Sequence, residues 1–146
     1  MSFHRRPVGR DRLVAALGAL VVLAGCVLPW WAIGGAEGLP ALSGNAFAGM
    51  GIVVFVVALA TIALVTLPYA TERPVTADRW PAYTILAVLG WAALIVRIVD
   101  LASLRAFAFR APADVVANGP GLWVVGIGLA MLSRSAFNMW RNPRGR

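Results

Sequence analysis

Residues 49–69 have the sequence GMGIVVFVVALATIALVTLPY, a run of apolar and small residues without a charged side chain. A bilayer core of about 30 Å requires about 20 apolar residues of helix, so this run predicts a membrane-spanning helix. Further along the chain in both directions, three more stretches meet the same criterion. The sequence therefore predicts an all-α fold with one integral membrane domain over residues 1–146, a four-transmembrane-helix bundle with spans at about 13–33, 49–69, 81–104 and 121–140.

The composition supports a membrane protein over other classes. Hydrophobic residues make up 60% of the 146 positions and charged residues 13%, and the mean hydropathy is +0.80. Such a chain is too apolar for an ordinary soluble domain and for a disordered segment. One cysteine and one histidine leave no basis for a disulfide framework or a cluster of histidine metal ligands. We expect no cofactor and no metal.

The arginines predict the orientation of the bundle. The net charge is +7 and every basic residue is an arginine. Arginines crowd residues 5–12 and 141–146 and recur in residues 71–80, whereas residues 34–48 contain no basic side chain. Basic residues that flank apolar spans follow the positive-inside rule, so nucleic-acid binding is not expected. Both termini and residues 71–80 are predicted to be cytoplasmic, in a multi-pass protein of the cell membrane.

Arg97 and Asp100 are charged residues inside the third expected span, and they form a candidate intramembrane polar pair. Their i, i+3 spacing places them on one helix face, and the backward lean of helical side chains brings Asp100 toward Arg97. Gly90 and Ala93 share this face, which predicts that it points into the bundle. Two interpretations remain open: a structural ion pair, or a polar site for a small solute or ion that opens to the outside.

Two secondary candidates are Arg134 and Glu37. Arg134 lies between Ser133 and Ser135 in the fourth expected span. It either extends to the cytoplasmic headgroups or pairs with a residue of another helix. Glu37 lies in the glycine-rich connection of residues 34–48, which either joins two helices or binds a ligand outside the cell.

Aromatic residues near the span ends predict interfacial belts, because amphipathic rings prefer headgroup depth. One residue, Trp91, falls near the midplane, where its indole N–H needs a partner inside the bundle. The belt residues are Trp30, Trp31 and Trp123 at the outer interface, and Tyr69, Trp80, Tyr83 and Trp140 at the inner one.

The sequence LAGC at residues 23–26 matches a lipoprotein cleavage signal. The apolar run continues past Cys26, however, and is longer than the roughly 7–15 residues of a secretory signal. A retained helix with an unmodified cysteine is therefore the favoured interpretation, and a lipoprotein is the alternative.

No catalytic, nucleotide-binding or dinucleotide-binding motif occurs in the chain, so we expect no enzyme activity. The expected role is a non-enzymatic accessory or scaffolding component that contacts the lipid bilayer and other membrane proteins or a second copy of itself. The alternative is a transporter or sensor of a small solute or ion that uses Arg97 and Asp100. A transporter usually requires several intramembrane polar groups, and the first two expected spans offer almost none.

Four short motifs resemble those of a broad group of uncharacterised actinobacterial four-span membrane proteins. They are LPWW at residues 28–31, NAF at 45–47, VRIVD at 96–100 and GLW at 121–123. The resemblance covers most of the chain. It implies the four-span architecture and carries no activity.

Overall fold

The computed structural model of the protein describes residues 9–33, 42–70, 80–103 and 119–142. These residues form four helices and two short strands. In chain order the elements are α1 (Arg10–Val27), β1 (Trp31–Ile33), β2 (Leu42–Gly44), α2 (Gly51–Ala70), α3 (Trp80–Ser103) and α4 (Pro120–Arg141). The prediction of a mostly helical fold with four helices is confirmed for this part of the chain.

Three of the helices, α2, α3 and α4, are long and apolar enough to cross a membrane. Their mean hydropathies over the most apolar 18 residues are 2.6, 2.2 and 1.3. Each begins and ends close to the predicted bounds, because charges, prolines and glycines limit the apolar runs on both sides. These helices make the protein a candidate for a multi-pass membrane protein.

The prediction of a first span over residues 13–33 is wrong, because α1 ends at Val27 and does not qualify as a span. The first turn of this 18-residue helix holds three charged residues, Arg10, Asp11 and Arg12. Leu28 then adopts extended backbone angles (φ −66°, ψ 153°). Pro29 explains the end of the helix, since a proline disfavours helical geometry in the residue before it.

The apolar residues after Pro29 form a hairpin that sequence periodicity did not reveal. Strands β1 and β2 pair antiparallel, with Trp31 opposite Gly44 and Ile33 opposite Leu42. Backbone hydrogen bonds tie the hairpin to the helices: the Ala46 N–H donates to the Cys26 carbonyl (3.3 Å) and the Gly121 N–H donates to the Pro29 carbonyl (3.0 Å). The hairpin thus closes one end of the bundle.

The helices pack as a square in which α1 contacts α2 and α4, and α3 contacts the same two helices. We call the end with the strands the hairpin end, and the end with Arg10 and Arg141 the arginine end. At the arginine end the Ser135 hydroxyl donates to the Asp11 carbonyl (2.6 Å), and the Asn138 amide donates to the Asp11 carboxylate (3.3 Å). The start of α1 and the end of α4 therefore lie together.

Small residues bring α1 and α4 into backbone contact. A Cβ added at Gly128 would lie 2.6 Å from the Gly18 carbonyl oxygen, and one added at Gly121 would lie 2.7 Å from the Gly25 carbonyl oxygen. In each helix the two glycines of this contact are seven residues apart, which is two helical turns. Cys26 is fully buried beside this contact.

Two residues of the predicted aromatic belts lie in the interior instead. Trp30 and Tyr83 are fully buried. The Trp30 indole N–H donates to the Gly25 carbonyl (2.9 Å), which satisfies its polar group inside the protein. Trp91 has the internal partner that its depth requires, because its indole N–H donates to the Ser133 hydroxyl (3.1 Å).

Candidate functional site

Helix α3 brings the side chains of Arg97 and Asp100 into contact as an i, i+3 ion pair. Arg97 is only 6% exposed, so this arginine faces the interior as its neighbours Gly90 and Ala93 do. The side chain of Asp100 is 45% exposed and lies at the edge of the bundle. The expectation that both members face inward therefore holds for Arg97 and not for Asp100.

A turn between β2 and α2 covers the Arg97 guanidinium. Gly49 has φ +112°, a left-handed conformation that side chains disfavour. A Cβ at this position would also lie 2.9 Å from Arg97 Nη1. Gly49 thus satisfies two demands, the shape of the turn and the close approach of the arginine.

Local hydrogen bonds hold this turn in place. The Asn45 side-chain oxygen accepts from the Phe47 N–H (3.2 Å), and the Asn45 carbonyl accepts from the Ala48 N–H (3.3 Å). The Gly49 carbonyl then accepts from the Ile52 N–H as α2 begins (3.3 Å). The asparagine therefore shapes the turn through its own backbone neighbours, as asparagine side chains commonly do.

The two charges of the site offset each other, but one nitrogen of Arg97 lacks a hydrogen-bond partner in the described part of the chain. The Asp100 carboxylate offsets the guanidinium charge. Arg97 Nε is buried and has no hydrogen-bond partner among the described residues. A buried donor without a partner costs about 1–3 kcal/mol.

The chemistry available around this pair is narrow. Among residues 9–33, 42–70, 80–103 and 119–142, no three His, Cys, Asp or Glu side chains come together in a way that could hold a metal ion. The arrangement can orient α3 against the turn at residues 45–50, or it can offer a cation and a carboxylate to a small polar ligand.

The two secondary candidates are separate from this pair. Arg134 is exposed on the outer face of α4, which it shares with Gly126 and Ala130. This exposed position favours the interpretation in which Arg134 extends toward headgroups over the one in which it pairs with a buried residue of another helix. Glu37 lies outside the described residues.

Sequence reasoning missed the turn above Arg97 and the polar contacts of Asp11. Gly49 was included in the second expected span, although Ser43, Gly44 and Asn45 shortly before it form a loop signal. Asp11 stood among flanking arginines, and nothing local connected it with Ser135 or Asn138.

No protein-family model, curated protein or solved structure matches this chain. The resemblance to actinobacterial four-span proteins stays a prediction.

Proposed function

We propose that this chain is a multi-pass protein of the cell membrane that serves as a non-enzymatic accessory or scaffolding component. The observation that carries the proposal is the contrast between its outer and inner surfaces. Large apolar side chains on α2, α3 and α4 point outward, among them Val56, Ile85 and Ile127. Soluble proteins rarely expose such extensive apolar area, whereas lipid and membrane partners cover it.

The polar groups inside the bundle support an accessory role over transport. In α2 the buried Thr61 hydroxyl donates to the Val57 carbonyl (2.8 Å), and the exposed Thr66 hydroxyl donates to the Ile62 carbonyl (3.0 Å). Both hydroxyls are thereby occupied within their own helix. Residues 13–27 of α1 carry no charged side chain. A transport path usually requires converging polar groups near the midplane, and the described helices offer few.

We place α1 within the bundle beside α4, although its three charged residues keep it from qualifying as a span. Its uncharged part, residues 13–27, measures about 22 Å as a helix. It follows α4 from Ser135 to Gly121, and the hairpin continues the chain at the far end. Neighbouring helices and hairpin hydrogen bonds satisfy polar backbone groups that lipid cannot.

We also place the arginine end in the cytoplasm. Arg10, Arg12 and Arg141 lie at this end, and further arginines follow in sequence beyond the described residues. Basic residues next to spans are retained on the cytoplasmic side. The hairpin end would then face outside.

Site-specific cross-linking in cells tests the accessory role. A compact photoreactive amino acid at Ile127, which is 59% exposed, is expected to cross-link to another protein of the membrane fraction. The matched control is the same amino acid at Leu129, which lies two residues away and is fully buried. Products from Ile127 that contain only lipid would contradict the accessory role, as would equal products from both positions.

The second candidate function is sensing or transport of a small solute at Arg97 and Asp100. Two observations favour it: the buried Arg97 Nε without a partner in the described chain, and the exposed edge of Asp100. A ligand with a hydrogen-bond acceptor would satisfy that nitrogen. Under this candidate, removing both charges abolishes function while the protein stays folded.

A further inference from the structure

A groove of about 280 Å³ lies between α3 and α4 and extends from the arginine end toward the middle of the bundle. Its wall is mainly aromatic and apolar. The residues that define it are Trp80, Ala87, Val88, Trp91, Phe137 and Trp140. Neither the proposed accessory role nor the Arg97–Asp100 pair uses this surface.

Three polar groups in the groove, those of Thr84, Trp91 and Ser133, already have partners within the protein. The Trp91 indole N–H donates to the Ser133 hydroxyl (3.1 Å), which in turn donates to the Leu129 carbonyl (2.9 Å). The Thr84 hydroxyl donates to the Trp80 carbonyl (3.1 Å). With these three donors occupied, the wall below the Trp80 and Trp140 rings fits an apolar chain better than a polar ligand.

The length of the groove matches one leaflet of a bilayer. Trp80 and Trp91 are eleven residues apart on α3, a rise of about 16 Å. The hydrocarbon core is about 30 Å thick, so this rise is about half of it. We call the part of the groove at Trp80 and Trp140, next to the arginine end, its shallow end. The two rings lie 6.5 Å apart there, and such aromatic residues prefer headgroup depth.

A cation lies beside the shallow end of the groove. Arg141 is exposed in the last turn of α4, and its guanidinium carbon is 5.7 Å from the centre of the Phe137 ring. Phe137 is part of the groove wall. An anionic group above an apolar chain is therefore complementary to this end of α4 in both charge and polarity.

We propose that the groove binds one acyl chain of an anionic phospholipid, with the headgroup phosphate against Arg141. The site would select this lipid from the surrounding bilayer through its concave aromatic wall and its cation. The proposal rests on the membrane location proposed above.

Native mass spectrometry of the full-length chain in mild detergent tests this assignment, with equal amounts of phosphatidylglycerol and phosphatidylcholine added. We expect one phosphatidylglycerol to be retained in preference to phosphatidylcholine. Arg141→Gln should lower that preference about fivefold, since one arginine near an anionic headgroup contributes about that factor. Arg141 is exposed, so this variant leaves the core intact.

A matched pair of variants tests the groove itself. Val88→Trp should fill it and lower the fraction of lipid-bound protein about tenfold. Val99→Trp is the control, because Val88 and Val99 are both 61% exposed, lie on the same helix face and differ in that Val99 does not line the groove. Melting temperatures of both variants in detergent show whether either has lost its fold.

Three results would overturn the lipid assignment. They are equal retention of the two lipids, equal lipid loss from the two tryptophan variants, and a lipid-free species with the mass of two chains, which would make a second copy the occupant. A different measurement, extraction of the membrane pellet, shows whether the proposed membrane location is wrong. If the chain leaves the membrane pellet in alkaline carbonate, the proposed function fails. If it stays there without binding phosphatidylglycerol, the groove proposal alone fails.

Discussion

Arg97 shows at the scale of one residue how a charge is accommodated in an apolar bundle. The guanidinium is enclosed by α3 and by the turn at Gly49, and the Asp100 carboxylate compensates its charge. Removing one member of a buried pair leaves an uncompensated charge, while removing both leaves an apolar site. The two members should respond differently, because Arg97 is buried and Asp100 is half-exposed.

Asp100→Leu should therefore lower the free energy of unfolding by about 2–4 kcal/mol, since the buried guanidinium loses its counter-charge. Arg97→Leu should cost less, because water reaches the remaining carboxylate. The double variant Arg97→Leu/Asp100→Leu should recover stability toward the wild type. Thermal melts in detergent measure all three. Single variants that melt like the wild type would show that the pair contributes nothing.

The same double variant separates the two candidate functions. A folded double variant that keeps its cross-linked partners supports a structural role for the pair. A folded double variant that loses a cellular phenotype of the gene supports a solute or ion site at Arg97 and Asp100.

The pair could be predicted because the i, i+3 rule is local and needs no knowledge of the rest of the fold. The cover over Arg97 could not be predicted in this way. It depends on a left-handed glycine and on how closely the turn before α2 approaches α3, and these are tertiary features.

At the scale of elements, the packing of α1 on α4 depends on glycines where the two backbones meet. Gly18 lies against Gly128, and Gly25 lies against Gly121. Gly126, two residues from Gly128 on the same helix, would place a Cβ with no atom within 4 Å. Gly126 and Gly128 therefore lie on the same helix, but only Gly128 is packed against another backbone.

Gly128→Ala should therefore lower the melting temperature, because its Cβ would lie 2.6 Å from the Gly18 carbonyl oxygen and force the helices apart. The cost of such overpacking is about 1–3 kcal/mol. Gly126→Ala is the control and should raise stability slightly, since alanine favours a helix by about 1 kcal/mol over glycine. Equal shifts in detergent melts would show that α1 and α4 are not in backbone contact.

The helices α2, α3 and α4 were predictable from uninterrupted apolar runs of sufficient length. The hairpin was not, because Trp31–Ile33 continues the apolar run of α1 and only its pairing with Leu42–Gly44 makes it a strand. Burial of Trp30 and Tyr83 was missed for a related reason. An aromatic residue near a helix end suits either an interface or a core, and the neighbouring helices decide between them.

For the whole molecule, the alternation of the helices places Ser43 and Ala70 at opposite ends. Ser43 lies in the hairpin and Ala70 ends α2 at the arginine end, and both are exposed. Cys26, the one native cysteine, is fully buried and should contribute little background in labelling experiments. Two single-cysteine additions therefore report on the two membrane faces.

A membrane-impermeant maleimide should label Ser43→Cys in intact cells, since the hairpin end is proposed to face outside. Ala70→Cys should react only after the membrane is permeabilised, because the arginine end is proposed to lie in the cytoplasm. The unmodified chain is the control for Cys26. Labelling of Ala70→Cys in intact cells, with protection of Ser43→Cys, would reverse the orientation.

The contact between α1 and α4 also has a consequence for the order in which the protein is made. Of the four described helices α1 leaves the ribosome first, yet it is the one that does not qualify as a span. Its most extensive neighbour, α4, is about a hundred residues away in sequence and is the last of the four described helices to be synthesised. A nascent chain that stops before Pro120 therefore lacks the glycine surface on which α1 packs. Under the proposed arrangement, stable packing of α1 in the bundle is a late event of biogenesis, completed when α4 has been made.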